Sequence, residues 1–465
     1  MASIVLVLGG CARYQTRPLS SEQTVRAFND RTLENPGLRT FLEKNRVCAP
    51  LPGQAWDLKQ LTLAAFYYKP QLAEARAQLM ATRAGKVSAG ERPNPSLNVL
   101  PGYDSQIPGA PSPWIVPLTM DWPIETAGKR GYRMANARHL AEAARWNLVG
   151  VVWGVRGGVR SALLGLYSAR RTQALLARQV KGQTKVVHML QGQLDAGVIS
   201  SYEVTQARIV LDTLILAQQT AAGRYAQARV AMAAALGVPT SALEGVRFSF
   251  APFKTFPRRL SEPQVRQRAL LNRADVRAGL AEYAASQSAL QLQIAGQYPD
   301  IHLGPGYAYN TGSAGDNQWS IGLTVTLPIL NQNQGAIAQA EANRKLAAAH
   351  FLSIQSSAIS QIESALAAYR WALQGVATAR GLLKNLKRQL VLVAGQVKAG
   401  EAAPLALASA QVAFNAGARG QLDAVLKAQQ ALGRLEEAVQ SPLTLSTAKV
   451  EAGETAHTTD KDLEK

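Results

Sequence analysis

The chain has 465 residues, 47% of them hydrophobic and 17% charged, enough apolar material to bury a sizeable core, which excludes wholesale disorder. Fifty Lys and Arg against 31 Asp and Glu give a formal charge of +19, a balance that asks for an anionic partner, a phospholipid surface or an acidic environment without choosing among them. Only Cys11 and Cys48, with five scattered His, are available, which excludes a disulfide framework and any dense Cys/His metal cluster.

The N-terminus, MASIVLVLGGCARYQ, runs into Leu8-Gly9-Gly10-Cys11, similar to a bacterial lipobox, in which small residues precede a Cys that becomes lipidated. The usual basic region before it is missing, so the alternative is an ordinary buried strand or helix end. No window reaches the roughly 18 apolar residues a membrane-spanning helix needs, so any bilayer crossing has to be made by strands.

Eight of the 22 prolines fall between Pro93 and Pro123; none follows until Pro239, and a second gap runs from Pro328 to Pro404. Proline clashes inside a helix, so these gaps, rich in Ala, Leu, Gln and Arg, predict very long helices, one from near Lys129 to Asp195 and about 100 Å long. Gly154, Gly157, Gly158 and Gly165 interrupt it, either for close helix approach or as a break.

One half of the chain overlays the other at an offset of 203 to 205 residues. Pro95 pairs with Pro299, Tyr103 with Tyr307, Trp114 with Trp319, Pro123 with Pro328, and QLDAGVISSYEVTQARIVL from Gln193 faces QVKAGEAAPLALASAQVAF from Gln396. Each half reads helix, two short non-helical runs, long helix, tight turn, long helix. The short runs alternate with a period of two. Trp319, Ile321, Leu323, Val325 and Leu327 interleave with Ser320, Gly322, Thr324 and Thr326, and Trp114, Val116, Leu118, Met120 and Trp122 form the corresponding stripe. Strands are expected at about 95–106, 113–124, 299–310 and 317–329, each long enough to cross the hydrocarbon layer when tilted. Pro101 and Pro117 demote the first two or mark a bent rim. Four strands leave two open edges, which lipid does not tolerate, so other copies have to complete them.

The segments PLTMDWPIETAGKRGYRMANAR from Pro117 and VTLPILNQNQGAIAQAEA from Val325, with LDAGVISSYEVTQA from Leu194 and the duplication, resemble the TolC-like outer-membrane efflux proteins over roughly residues 55 to 440. Within that family, "PIETAGKR" and "LPILNQNQGAIAQA" are most similar to outer-membrane components of heavy-metal systems of the cobalt-zinc-cadmium type. The resemblance implies a mainly α fold with membrane β: a homotrimer whose four strands per chain build a twelve-stranded β-barrel above a long-helix periplasmic α-barrel, with an internal two-fold repeat. It also implies a periplasmic adaptor, an inner-membrane RND-type pump and contact with outer-membrane lipid, and, by the residue after Cys11, lipid anchoring at the outer membrane. The expected division is a signal remnant at 1–11, an extended segment at 12–56, a first repeat at 57–237, an equatorial linker at 238–262, a second repeat at 263–440 and a polar tail at 441–465.

No nucleophile elbow, phosphate-cradling loop or His-Glu-x-x-His is present, and no catalytic, cofactor or metal residues are assigned. Glu74, Glu282, Glu341, His139, His188 and His350 read as helix-surface residues. The turns around Gly197-Val198-Ile199-Ser200 and Gly400-Glu401-Ala402-Ala403-Pro404 are expected at one tip, where glycine stops a helix and Ser200 or Pro404 starts the next. The family resemblance makes this tip the adaptor contact, with Glu203 as an acidic member; Ala406 and Ser409 stand where better-studied members carry Asp. Trp114, Trp122 and Trp319 are expected at the membrane rim, with Lys129 and Arg130 either contacting lipid phosphates or solvated. Cys48 is expected as a buried thiol. The charge lacks a clustered basic-aromatic motif, so no nucleic acid is expected. The competing reading is a lipid-anchored periplasmic coiled-coil adaptor or scaffold.

Overall fold

The computed structural model describes residues 13–51, 53–103, 114–257, 262–310 and 316–443; Cys11 and the tail beyond Leu443 lie outside them. The segment before Ala55 is helical rather than extended. α1 (Ser21–Asn29) is capped by the Ser20 side chain, and α2 (Pro36–Lys44) by Asn35, whose Oδ1 accepts from the Gly37 and Leu38 amides. Leu38 and Leu42 of α2 are fully buried, which anchors this segment to the rest of the chain. The short strand β1 (Ala55–Trp56) leads into α3 (Leu58–Tyr68), where Asp57 and Gln60 form a reciprocal capping box, and then into α4 (Pro70–Ala89).

The first strand region is split into β2 (Ser96–Val99) and β3 (Gly102–Tyr103), broken at Leu100 and Pro101, where proline offers no ladder donor. By contrast β4 (Trp114–Ile124) continues through Pro117. α5 (Lys129–Asp195) is unbroken through Gly154, Gly157, Gly158 and Gly165, a length of about 100 Å. Of these, Gly157 marks a close approach, since a Cβ there would collide with the Glu437 carboxylate; Gly154, Gly158 and Gly165 have open space. α6 (Ser201–Leu236) returns and ends at Gly237, which takes the left-handed conformation at φ 79°. The linker makes two short 3-10 turns around β5 (Arg247–Phe248), which pairs in parallel with β1.

The second half runs α7 (Glu262–Asn272), α8 (Ala274–Ala295), β6 (Ile301–Asn310), β7 (Asp316–Val325), α9 (Gln334–Lys398) and α10 (Pro404–Val439). β7 stops at Val325, four residues short of the expected end, because Pro328 follows and cannot donate to a ladder. The main sheet is antiparallel in the order β2-β4-β6-β7, with β3 also on β4. Thus the two strand pairs, far apart in sequence, join through β4 and β6.

The core is concentrated at mid-length of the long helices. Leu163 of α5, Met232 and Leu236 of α6, Leu61 of α3, Leu38 and Leu42 of α2 and Phe253 of the linker form one buried cluster; Ile362 and Tyr369 of α9 with Leu432 and Leu435 of α10 form a second. Cys48 is exposed, not buried: Val47 takes the inward position, while the Cys48 carbonyl accepts from Gln60 Nε2 at 2.9 Å.

Candidate functional site

Four levels of the structure carry the residues of interest. At the strand-to-helix rim, Ala127 and Gly128 both take positive φ (54° and 75°), which turns β4 into α5 within four residues. Lys129 is engaged within the chain: its Nζ donates to the Tyr298 carbonyl at 2.7 Å and to Asp300 Oδ1 at 2.8 Å, with 13% of the side chain exposed. Asp300 also accepts from the Thr126 amide at 2.9 Å. Burial raises the Asp300 pKa, but these bonds outweigh it and hold the carboxyl below its usual range. Arg130 Nε donates to the Gly90 carbonyl at 2.6 Å, and Arg133 clasps Glu125 while also donating to the Ala89 and Glu91 carbonyls. The PIETAGKR segment therefore ties the end of α4, the start of α5 and the start of β6 together.

Above this rim, one sheet face is apolar and open. Trp114, Trp122, Trp319, Ile321 and Leu323 are all exposed, Trp319 and Ile321 by 81% and 82%. Tyr103 stacks edge-on against Trp114, and Tyr307 leans on Trp319. The opposite face carries Thr119, Gly304, Gly306, Ser320 and Gly322, with His302 Nδ1 bonded to Asp121 at 3.0 Å.

At mid-length lies a buried charged girdle that the sequence reading missed. Glu436 is fully buried and receives Arg156 at 3.2 Å, Arg160 at 3.4 Å and the Leu443 amide at 3.0 Å. Arg160 also donates to the Gln429 carbonyl and to its Oε1, and Gln429 Nε2 in turn reaches the Phe253 and Thr255 carbonyls. Burial lowers the Arg160 pKa, opposed by Glu436. Burial also raises the neighbouring Glu437 and pushes the Tyr369 hydroxyl up to about 12, helped there by Glu436. Arg273 donates to the Ala438 carbonyl and pairs with Asp275. Gly433 lets the Arg160 guanidinium lie close against α10, where a Cβ would meet it. The signal available in sequence was Gly157 and Gly433 beside Arg and Glu, but the partners lie 280 residues apart.

At the far end the two turns are alike. Gly197 and Gly400 take φ 73° and 78°. The Val198 amide bonds the Gln193 carbonyl and Gly197 the Leu194 carbonyl; Glu401 and Gly400 repeat this onto Gln396 and Val397. Both are Schellman turns, whose glycine must be left-handed. Pro404 occupies the first position of α10, while the Ser200 hydroxyl donates to Glu203, the largest cause of that exposed carboxyl's lowered pKa. The α5–α6 and α9–α10 hairpins thus place Ser200, Glu203, Glu401 and Pro404 beside their respective turns. Among the described residues no group of three or more metal-ligating side chains occurs, and no helix is long and apolar enough to cross a membrane.

A long-helix hairpin array carrying an amphipathic antiparallel sheet is the architecture of an outer-membrane channel subunit. The model of the outer membrane efflux protein family matches residues 65–238 and 265–440, and the chain belongs to that family. It is 27% identical over 274 residues to the cobalt-zinc-cadmium resistance protein CzcC of Cupriavidus metallidurans, an alignment spanning 58% of this chain and 63% of that protein. Among solved structures it is similar to the outer-membrane channel OprN, with a TM-score of 0.68 at 18% identity over 83% of this chain and 91% of that one. The open-state MtrE outer-membrane channel of Neisseria gonorrhoeae gives 0.67 at 18% identity, covering 84% and 91%.

Proposed function

We propose that this chain is the passive outer-membrane duct of a tripartite efflux machine, working as a homotrimer. Four strands per chain would close into a twelve-stranded barrel, and the long helices into a periplasmic α-barrel reached by an adaptor and an inner-membrane RND-type pump. The observation that carries this reading is the sheet: one face of exposed Trp, Ile and Leu on strands about ten residues long, continuous with helices of 67 and 65 residues. β2 with β3 and β7 are its outer strands, and unpaired edges cost several kcal/mol per group in lipid, which further copies relieve.

In this reading residues 57–237 and 263–440 are the two repeats, 238–262 is the equatorial linker, and Cys11 carries the lipid. The tip residues Gly197, Ser200, Glu203, Gly400, Glu401 and Pro404 meet the adaptor, and the similarity to CzcC supports a cargo of heavy-metal cations or other small toxic compounds.

Fractionation of a Cys11→Ala variant tests the reading. A duct stays embedded in the outer membrane without its lipid, whereas an anchored scaffold is released, and release would overturn the proposal. Gly197→Val and Gly400→Val force a β-branched residue into φ above 70° and should impair export while the oligomer still assembles. Unimpaired export would remove the tip assignment.

A further inference from the structure

The lower halves of α5 and α9 are almost free of carboxylates; beside them, α6 contributes Glu203 and Asp212. Between Glu142 and Asp195, α5 carries eight cations and no acid; after Glu363, α9 carries six through its last residue, Lys398, and no acid. Lys181 and Lys185 on α5, and Lys384 and Arg388 on α9, are exposed, and none has an ion-pair partner among the described residues.

Their positions coincide in a second way. Lys181 and Lys384 stand sixteen residues before Gly197 and Gly400, and Lys185 and Arg388 twelve residues before them. That is about 24 and 18 Å above the two turns. Each pair is spaced i,i+4 and so shares one helix face. On α5 this face lies away from Gln179, Gln183 and Val186, which are buried. Three copies of the chain would bring six such helices, and a belt of twelve cations, to one height of the α-barrel.

We infer that this belt makes the duct anion-selective, which narrows the cargo proposed above: not free heavy-metal cations but solutes bearing carboxylate or oxyanion groups, with metals passing only in anionic complexes. The inference rests on the duct reading. A wall one helix thick, about 10–12 Å, is comparable to the Debye length of about 8–10 Å, so the charge of the wall acts on the bore. Low-dielectric walls focus such a field, enriching anions and opposing free divalent cations.

The test is the zero-current potential of the purified oligomer in planar bilayers across a KCl gradient. The expected result is chloride preferred over potassium, with the permeability ratio falling through unity in a variant combining Lys181→Glu, Lys185→Glu, Lys384→Glu and Arg388→Glu. The corresponding Gln variant should fall between, and carries the test if the Glu variant does not assemble. A cation-selective wild-type channel, or a potential unmoved by the substitutions, overturns the inference and leaves the duct standing. Loss of adaptor capture with unchanged selectivity overturns it equally, assigning the belt to an acidic partner outside. An assembled oligomer with no conductance at all removes the duct reading itself.

Discussion

The same helix, α5, handles arginine and lysine in two opposite ways. At mid-length Arg156 and Arg160 are largely buried and are matched to Glu436, Gln429 and backbone carbonyls; in the lower half Arg178, Lys181 and Lys185 are exposed with no matching acid among the described residues. A buried guanidinium requires a partner because desolvation costs several kcal/mol per ion, while a solvated ammonium requires none. The contrast separates a level that holds the helices in register from a level whose charge is free to act on what passes or binds.

The sharpest way to break this contrast is to remove the shared acid. Glu436→Ala takes their shared carboxylate from Arg156 and Arg160 and should cost about 3–5 kcal/mol, whereas Lys181→Ala should stay within about 0.5 kcal/mol. Thermal melting followed by circular dichroism compares the two; equal losses would erase the distinction. Next in size is Gly433→Leu, which drives a side chain into Arg160 and should cost about 1–3 kcal/mol in the same assay.

The girdle also contains an imperfection. The Tyr369 hydroxyl is buried without a hydrogen-bond partner among the described residues, near a carboxylate that disfavours its ionisation. Tyr369→Phe should therefore be neutral or stabilise by up to about 1 kcal/mol, and a clear loss of stability would mean that the hydroxyl finds a partner in solution.

Protonation sharpens the comparison further. Burial raises the Glu437 pKa, so this carboxyl favours the folded state below about pH 4.5, and that contribution fades as pH rises through its folded value. Asp275 has the opposite sign: burial raises it, but the bonds from Arg273 and the Val276 amide outweigh that, so its contribution is present above about pH 4 and lost on acidification. Glu437→Gln should accordingly gain stability near neutral pH and lose that gain in acid, which melting curves across pH would register; a gain of the same size in acid would contradict the shift.

What could be read from residues alone was whatever is local. Proline spacing located α5 to its ends, glycines located the Schellman turns, and the two-residue alternation located β4, β6 and β7. Ser20 and Asn35-Pro36 are legible caps for α1 and α2, but at nine residues each those helices are too short for their periodicity to stand out in the sequence. The girdle was not legible, since nothing near Arg160 in sequence announces Gln429 or Glu436. Lys129 was placed at the rim, but its engagement with Asp300 depends on β6 arriving from the other half of the chain.

The smallest expected effect lies at the tip, where stability is not at stake. Glu203 is fully exposed, and its lowered pKa is led by the hydrogen bond from Ser200; Ser200 itself makes no side-chain cap to α6. Ser200→Ala should let the Glu203 carboxyl rise toward the ordinary value of 4.5 without moving the melting temperature measurably. Carbon-13 NMR of the labelled carboxylate would follow this shift, and an unchanged titration would mean that the hydroxyl points elsewhere in solution. Because a lowered pKa keeps Glu203 ionised further into acid, the substitution should also bring its loss of charge to a higher pH. Any adaptor contact that uses this carboxylate would then weaken at milder acidity in the variant than in the wild type, which distinguishes a charge held for binding from one that only begins a helix.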